Sequence, residues 1–347
     1  MTILPRPNHF NFIVFSILIF LGISSRSPAQ ISINGGRGLF RITSAETVNS
    51  GNLYVSSFGS MYLKKSDSSL AKDYHLSLTF TYGLFSFLEF DGRFVAYQDD
   101  QSHIWGPVGN TQMGLKLQIP ITSRFFSLGV GSKIIFPTAP EQNVPYEAFS
   151  ADGIGWTPEA YMTFNLTDAL QYPLKVYVNG GYMDHKLFDG MFANKIDETY
   201  ARVGFKFPVK SAMFYWEFDS RQFIHRRSEI AFKENWMYSN QGIVFVGPYN
   251  LIMNIALDLK LTQDDPATKY KPKDYANWKL WLGVTKYIPL KKYATQAIDK
   301  RRERKLRSDQ IERQEALRKE RGKADEEITQ MKEMLKKKQT KKKPKKD

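Results

Sequence analysis

The sequence predicts an all-β fold: an antiparallel transmembrane β-barrel of about 12 strands, within a range of roughly 10 to 14, with a charged C-terminal α-helix. Three observations lead there. Apolar and polar residues alternate with a period of two over segments long enough to cross a bilayer. The connections between those segments sort by length, short after even-numbered strands and long after odd-numbered ones. No apolar run of transmembrane-helix length follows residue 30, which leaves strands to do any spanning.

The first 29 residues read as a secretory signal peptide. A short polar stretch with Arg6 precedes the apolar run Phe12–Ile23, and SSRSPAQ follows, with small residues at Ser27 and Ala29. Cleavage is predicted after Ala29; the alternative is an uncleaved anchor. The chain has no cysteine, which excludes disulfides, thiol chemistry and a lipid-modified lipoprotein N-terminus. The glycine-rich GGRG at 35–38 lacks the Lys-Ser/Thr of a phosphate loop and reads as a flexible lead-in to the first strand.

Residues 30–290 form the predicted barrel. In HLSLTFTY (75–82), Leu76, Leu78, Phe80 and Tyr82 fall on one face and Ser77, Thr79 and Thr81 on the other. The same period recurs near 51–62, 74–82, 87–97, 111–119, 125–136, 155–166, 174–183, 199–207, 213–220, 236–246, 251–261 and 277–288. Most of these run nine to twelve residues, against about five or six for an ordinary globular strand. The turns GLFS, PITSR, TDALQYP, PVKSA and GPYN follow the even strands, whereas the odd strands lead into longer polar loops such as residues 137–154. A closed barrel pairs every backbone donor and acceptor without water, and this sorting of loops is its outer-membrane signature. Tyr62, Tyr82, Tyr97, Tyr161, Tyr182, Trp236, Trp278 and Tyr287, near strand ends, are expected at the lipid headgroups, with ordinary sheet packing as the alternative for each.

Residues 291–347 carry 22 Lys and Arg against 11 Asp and Glu, while residues 30–290 are nearly neutral, with 25 against 24. The composition from about Ala294 to Lys338 favours helix. Its weak seven-residue seam (Leu317, Ala324, Met331) leaves open a coiled coil, and so a homo-oligomer, or a solvated single helix; the last lysines are expected to be disordered. An even strand number with short periplasmic turns puts both termini in the periplasm. There the expected partners are outer-membrane lipid around the barrel and peptidoglycan or a periplasmic protein for the basic tail; nucleic acid is not expected.

The stretch NGGRGLFRITSAETVNSGNLYVS (34–56) resembles the opening of outer-membrane barrels that carry a C-terminal OmpA-like domain, in which Gly-Gly-x-Gly-Leu-Phe precedes the first strand. The resemblance implies an outer-membrane barrel with a periplasmic extension. The chain departs from that pattern after the barrel, where a charged tail stands in place of a peptidoglycan-binding domain. In the last strand, WKLWLGVTKYI, Lys286 and Ile288 stand where an assembly signal would carry aromatics.

Nothing in the sequence points to an enzyme, a metal site or a cofactor. The histidines at 75, 103, 185 and 225 lack metal-ligand spacing, and no nucleophile motif is present. Alternation instead aims charges at the lumen: Glu89, Asp91, Arg93, Lys116, Lys133, Lys175, Arg202, Lys206, Glu217, Asp219 and Asp258. Paired across the lumen, they make a plugged structural barrel; segregated by sign, they line a solute path. The first reading, with the basic helix as an envelope tether, leads. A narrow porin for passive passage of small solutes is the alternative, and a secreted polyanion binder is a third.

Overall fold

The computed structural model describes residues 29–65, 70–99, 108–121, 123–139, 153–167, 173–189, 197–209, 212–224, 236–247, 249, 251–262, 276–292 and 331–334. The signal region before residue 29 and most of the tail helix lie outside them. Residues 290–292 and 331–334 are helical, and the chain from Leu290 onward is a unit separate from the barrel. Among the described residues no helix is long and apolar enough to cross a membrane.

Twelve strands close into one antiparallel barrel: β1 (Asn52–Lys65), β2 (Leu70–Gly83), β3 (Leu88–Gln98), β4 (Thr111–Ile119), β5 (Phe126–Phe136), β6 (Gly155–Asn165), β7 (Lys175–Met183), β8 (Glu198–Val209), β9 (Ala212–Phe223), β10 (Trp236–Val246), β11 (Leu251–Lys260) and β12 (Trp278–Pro289). Each strand pairs with its neighbours in sequence, and β1 also pairs with β12, from Asn52 opposite Pro289 to Met61 opposite Leu280. Closure leaves no edge strand, so no row of backbone groups has to face lipid unpaired.

The two faces differ as the alternation demands. Leu76, Leu78, Leu115, Val130, Ile255 and Leu282 are exposed on the outer face, while alternate wall positions such as Ser77, Thr79, Glu217 and Asp258 are buried inside. An apolar outer surface over a polar interior inverts the pattern of a water-soluble protein and matches a barrel solvated by lipid. Leu282 sits mid-strand in β12 and is 56% exposed, so Leu282→Arg would hold a charge in hydrocarbon at a cost of about 2–4 kcal/mol. The expected result is loss of the folded, fast-migrating band in unboiled gel samples; the inward Thr285→Arg variant serves as the comparison.

The aromatic girdle needs correction. Tyr62 and Tyr161 are buried on inward faces, and the Tyr287 ring lies 5.1 Å from that of the inward Tyr54, tilted by 33°. Tyr182 is also buried, with its hydroxyl donating to Asp197 Oδ2 at 3.0 Å. Tyr82 and Tyr97 share the outer face with Leu76 and Phe80. Trp278 meets the Tyr62 ring at 5.6 Å, and the Trp236 side chain lies outside the described residues. Position near a strand end sets height in the membrane, but parity sets the face, and an inward tyrosine is stable where its hydroxyl can donate to a buried acceptor, as Tyr161 does to Glu159.

The larger correction concerns residues 29–50. They are not a flexible lead-in. They fold back into the lumen and fill it, with Ile31, Ile33, Leu39, Phe40, Ile42 and Val48 at 0–1% exposure. This plug is a compact loop closed on itself by Ile33 N–H to Phe40 O (2.7 Å), Gly38 N–H to Gln30 O (2.9 Å) and Ser44 N–H to Arg37 O (2.7 Å). Gly35 and Gly36 both have φ of 82°, a backbone state that other residues adopt with strain, and a Cβ on Gly35 would fall 2.7 Å from Asp91 Oδ1. The GGRG motif therefore makes the turn that lets the loop approach the wall.

Candidate functional site

The site is the interior of the barrel, where an irregular loop crosses membrane depth. Such backbone survives there only if protein satisfies its polar groups. Carboxylates on the wall do this. Glu217 of β9 accepts the N–H groups of Arg41 (3.0 Å) and Ile42 (3.1 Å). Glu89 of β3 accepts those of Arg37 (3.0 Å) and Val48 (2.7 Å). Neutral side chains complete the set: Thr81 Oγ1 accepts from Gly36 N–H (2.9 Å), Thr163 Oγ1 from Ala45 N–H (2.9 Å) and Gln118 Oε1 from Thr47 N–H (3.1 Å).

The plug also contributes charge. Arg41 pairs with Asp258 of β11 through Nε and Nη2, and Asp258 further accepts from Asn240 Nδ2 and Trp281 Nε1, both at 2.7 Å. Asn34 accepts from Lys133 Nζ through its carbonyl (3.0 Å) and from Arg93 through Oδ1 (3.3 Å). Glu46 joins Arg37 and Lys175, each at 2.8 Å.

Several of the remaining lumen charges pair sideways between neighbouring strands, and Lys279 of β12 reaches past β1 to Asp73 of β2 at 3.2 Å. Glu89 stands opposite Lys116 in the β3–β4 ladder and bonds it at 2.8 Å. Arg202 stands opposite Asp219 in the β8–β9 ladder and bonds it at 3.0 Å. Glu159 faces Lys133 at 3.4 Å and accepts hydrogen bonds from the hydroxyls of Tyr161 and Tyr200. Asp91 is buried against the plug turn at Gly35. One pair breaks the pattern: Lys175 and Lys206 stand directly opposite each other, an unfavourable like-charge placement that the plug's Glu46 offsets.

The plug is two-faced. Toward β1 and β9–β12 it buries an apolar cluster in which Leu39, Phe40 and Ile42 join Phe58, Tyr215, Val244 and Trp281. Burial of each such side chain contributes about 1.5–3 kcal/mol. Toward β3–β6 the contacts are mainly polar, while at β7 and β8 the apolar cluster extends to Tyr177 and Gly204. At Gly204 of β8 the loop leaves no room for a side chain, because a Cβ would lie 2.7 Å from Ile42 Cδ1 and 2.8 Å from Leu39 Cδ1. A chamber remains on each side of the loop. One, of about 140 Å³, lies toward the long loops and is lined by Asn34, Arg93, Lys133, Glu159, Arg202 and Arg221, among others. The other, of about 290 Å³, lies toward the short turns and is lined by Gln30, Arg37, Lys175, Tyr177 and Lys206, among others.

No family model matches the sequence, and no curated protein matches it. Among solved structures the chain is similar to an outer-membrane channel from Pseudomonas putida F1 (12% identity, TM-score 0.48, covering 70% of this chain and 98% of that one). It is also similar to the NanC porin (11% identity, TM-score 0.45, 66% and 98%) and the KdgM porin (9% identity, TM-score 0.44, 67% and 98%).

All eleven charged residues singled out from the sequence lie on inward positions of the wall, and the structure groups most of them around the plug. The residues missed are the plug's own: Asn34, Arg37, Arg41 and Glu46. Their wall partners stand 52 to 217 positions away, so no local period reveals them. A signal was nevertheless present. The apolar Leu39-Phe40 and Ile42 sit in a segment read as a flexible lead-in, while β2 turns the small Ser77, Thr79 and Thr81 inward.

Proposed function

We propose that the chain is an outer-membrane channel for small solutes whose path is held shut by its own residues 29–50. The supporting observation is the division of labour inside the barrel. Small and polar residues (Ser56, Ser77, Thr79, Thr81, Thr157, Thr163) line much of the wall, and beside larger inward side chains such as Phe58, Tyr215 and Trp281 a separate segment, joined to β1 through Gly51, supplies the filling. A purely structural barrel of this size can be filled by side chains from its own strands. Here removal of one loop would leave a hydrated, charge-lined pore. The short-turn mouth gathers Arg37, Lys175 and Lys206 around one carboxylate, Glu46, so the path favours anions. On this reading both termini lie in the periplasm and the basic tail meets peptidoglycan or a periplasmic protein there, so that tethering is a task of the tail and not of the barrel.

Planar-bilayer conductance of the intact chain and of a variant lacking residues 31–48 tests the reading. The intact chain is expected to be silent, and the deletion variant to give steady steps with anion preference in a salt gradient. Heat-dependent gel mobility of both proteins controls for folding. A folded deletion variant that carries no current would return the barrel to a structural role.

A further inference from the structure

The root of the plug carries chemistry that conduction does not use. Gln30 is buried at 2% exposure, and neither Nε2 nor Oε1 of its side chain has a hydrogen-bond partner among the described residues. Its backbone is held in place, because its carbonyl accepts from Gly38 N–H at 2.9 Å. Gln30 lines the short-turn chamber with Arg37, Lys175 and Lys206. Of these, Arg37 and Lys175 share Glu46, while Lys206 has no ion pair among the described residues.

The sequence places leader cleavage after Ala29, which makes Gln30 the first residue of the exported chain. A free α-amino group there has an ordinary pKa of about 7.7–8.0 and is an ammonium at neutral pH. Beside this chamber it would be a fourth cation around a single carboxylate, at a residue that is itself buried. The primary amide beside it would add two donors and an acceptor, none of them satisfied.

We propose that Gln30 is converted to pyroglutamate once the leader is removed. The α-nitrogen, as the neutral amine, attacks Cδ of its own side-chain amide. A C–N bond forms and closes a five-membered lactam. The Cδ–Nε2 bond breaks, and Nε2 leaves as ammonia with the proton given up by the α-nitrogen. No oxidant, reductant or second substrate is consumed. The product has no ammonium and no primary amide; one lactam N–H and one carbonyl replace them. Because the seated residue is buried, cyclisation precedes insertion of the plug. The modification thus removes the charge that would oppose docking beside Arg37, Lys175 and Lys206.

Mass spectrometry of the N-terminal peptide, from protein purified out of its native membrane, tests this. The expected peptide starts at residue 30, is lighter than the unmodified sequence by one ammonia, and resists amine labelling. An intact Gln30 amine, or a chain that starts elsewhere, overturns the proposal. Gln30→Ala cannot cyclise and keeps the amine. The charged groups of the chamber it shares are Arg37, Lys175 and Lys206, with Glu46 paired to the first two. The cationic surroundings disfavour its charged form, so the penalty is present while the amine is protonated and fades as pH rises past its ordinary value. The variant should therefore convert to the unfolded gel band at a lower temperature than wild type at about pH 6, with the gap closing by about pH 9. A gap independent of pH would remove the electrostatic reason for the modification.

Discussion

Asp258→Ala is expected to detach the plug while leaving the barrel closed. Asp258 is fully buried, and its carboxylate is the meeting point of three donors: the Arg41 guanidinium, Asn240 Nδ2 and Trp281 Nε1. Removing one partner of a buried ion pair costs about 3–5 kcal/mol, because the other charge stays desolvated without its counter-charge. Each of the two further donors adds about 1–3 kcal/mol if it stays buried and unmet. The β11 backbone is untouched, since the side chain points inward and the ladder to β10 and β12 does not use it. The loss therefore falls on the association of plug and wall. Residues 29–50 should become open to added protease in detergent, and the protein should conduct in bursts, while the heat-dependent gel shift persists. Asp258→Asn keeps an acceptor and loses the charge, so its effect should be intermediate. A plug that stays protected in Asp258→Ala would mean that the apolar cluster around Phe40 and Trp281, with the bonds to Glu217 and Glu89, suffices to hold it.

The Arg41–Asp258 pair also marks where the sequence stopped being legible. Barrel strands announce themselves because lipid outside and polar groups inside impose a strict period of two on every segment. The same period gave the face of Lys116, Arg202 and Asp219, whose partners stand directly across one ladder. The Tyr161 error shows the limit: height along a strand is read from its ends, the face only from parity, and Glu159 and Tyr161 share the inward one. The plug has neither period. It folds by meeting strands from β2 to β12, and its bonds run from backbone N–H groups, which look alike in every sequence, to carboxylates far along the chain. Only composition could have hinted at it: three apolar side chains beside a glycine turn, next to strands with small residues inward.

Gly204→Leu should open the path from the wall side, and by steric means alone. Gly204 lies between Arg202 and Lys206 on the inward face of β8, level with the plug, where Ile42 and Leu39 rest on its backbone. The wall there cannot yield, because Gly204 is held in register with Tyr177 on β7 and Glu217 on β9. The loop must move instead. Overpacking of this kind costs about 1–3 kcal/mol in a core that can adjust; here the same displacement also pulls Arg41 and Ile42 away from Glu217, which lies beside Gly204 in the ladder. Gly204→Ala meets only the flexible ends of Ile42 and Leu39 and should have a small effect. Adding Leu39→Ala to Gly204→Leu returns most of the lost space and should restore silence in the bilayer. That reversal separates a seal formed by plug against wall from general damage to the barrel, which a second truncation would worsen. A Gly204→Leu protein that folds, shows the gel shift and stays silent would mean that the loop at β8 is not what closes the path.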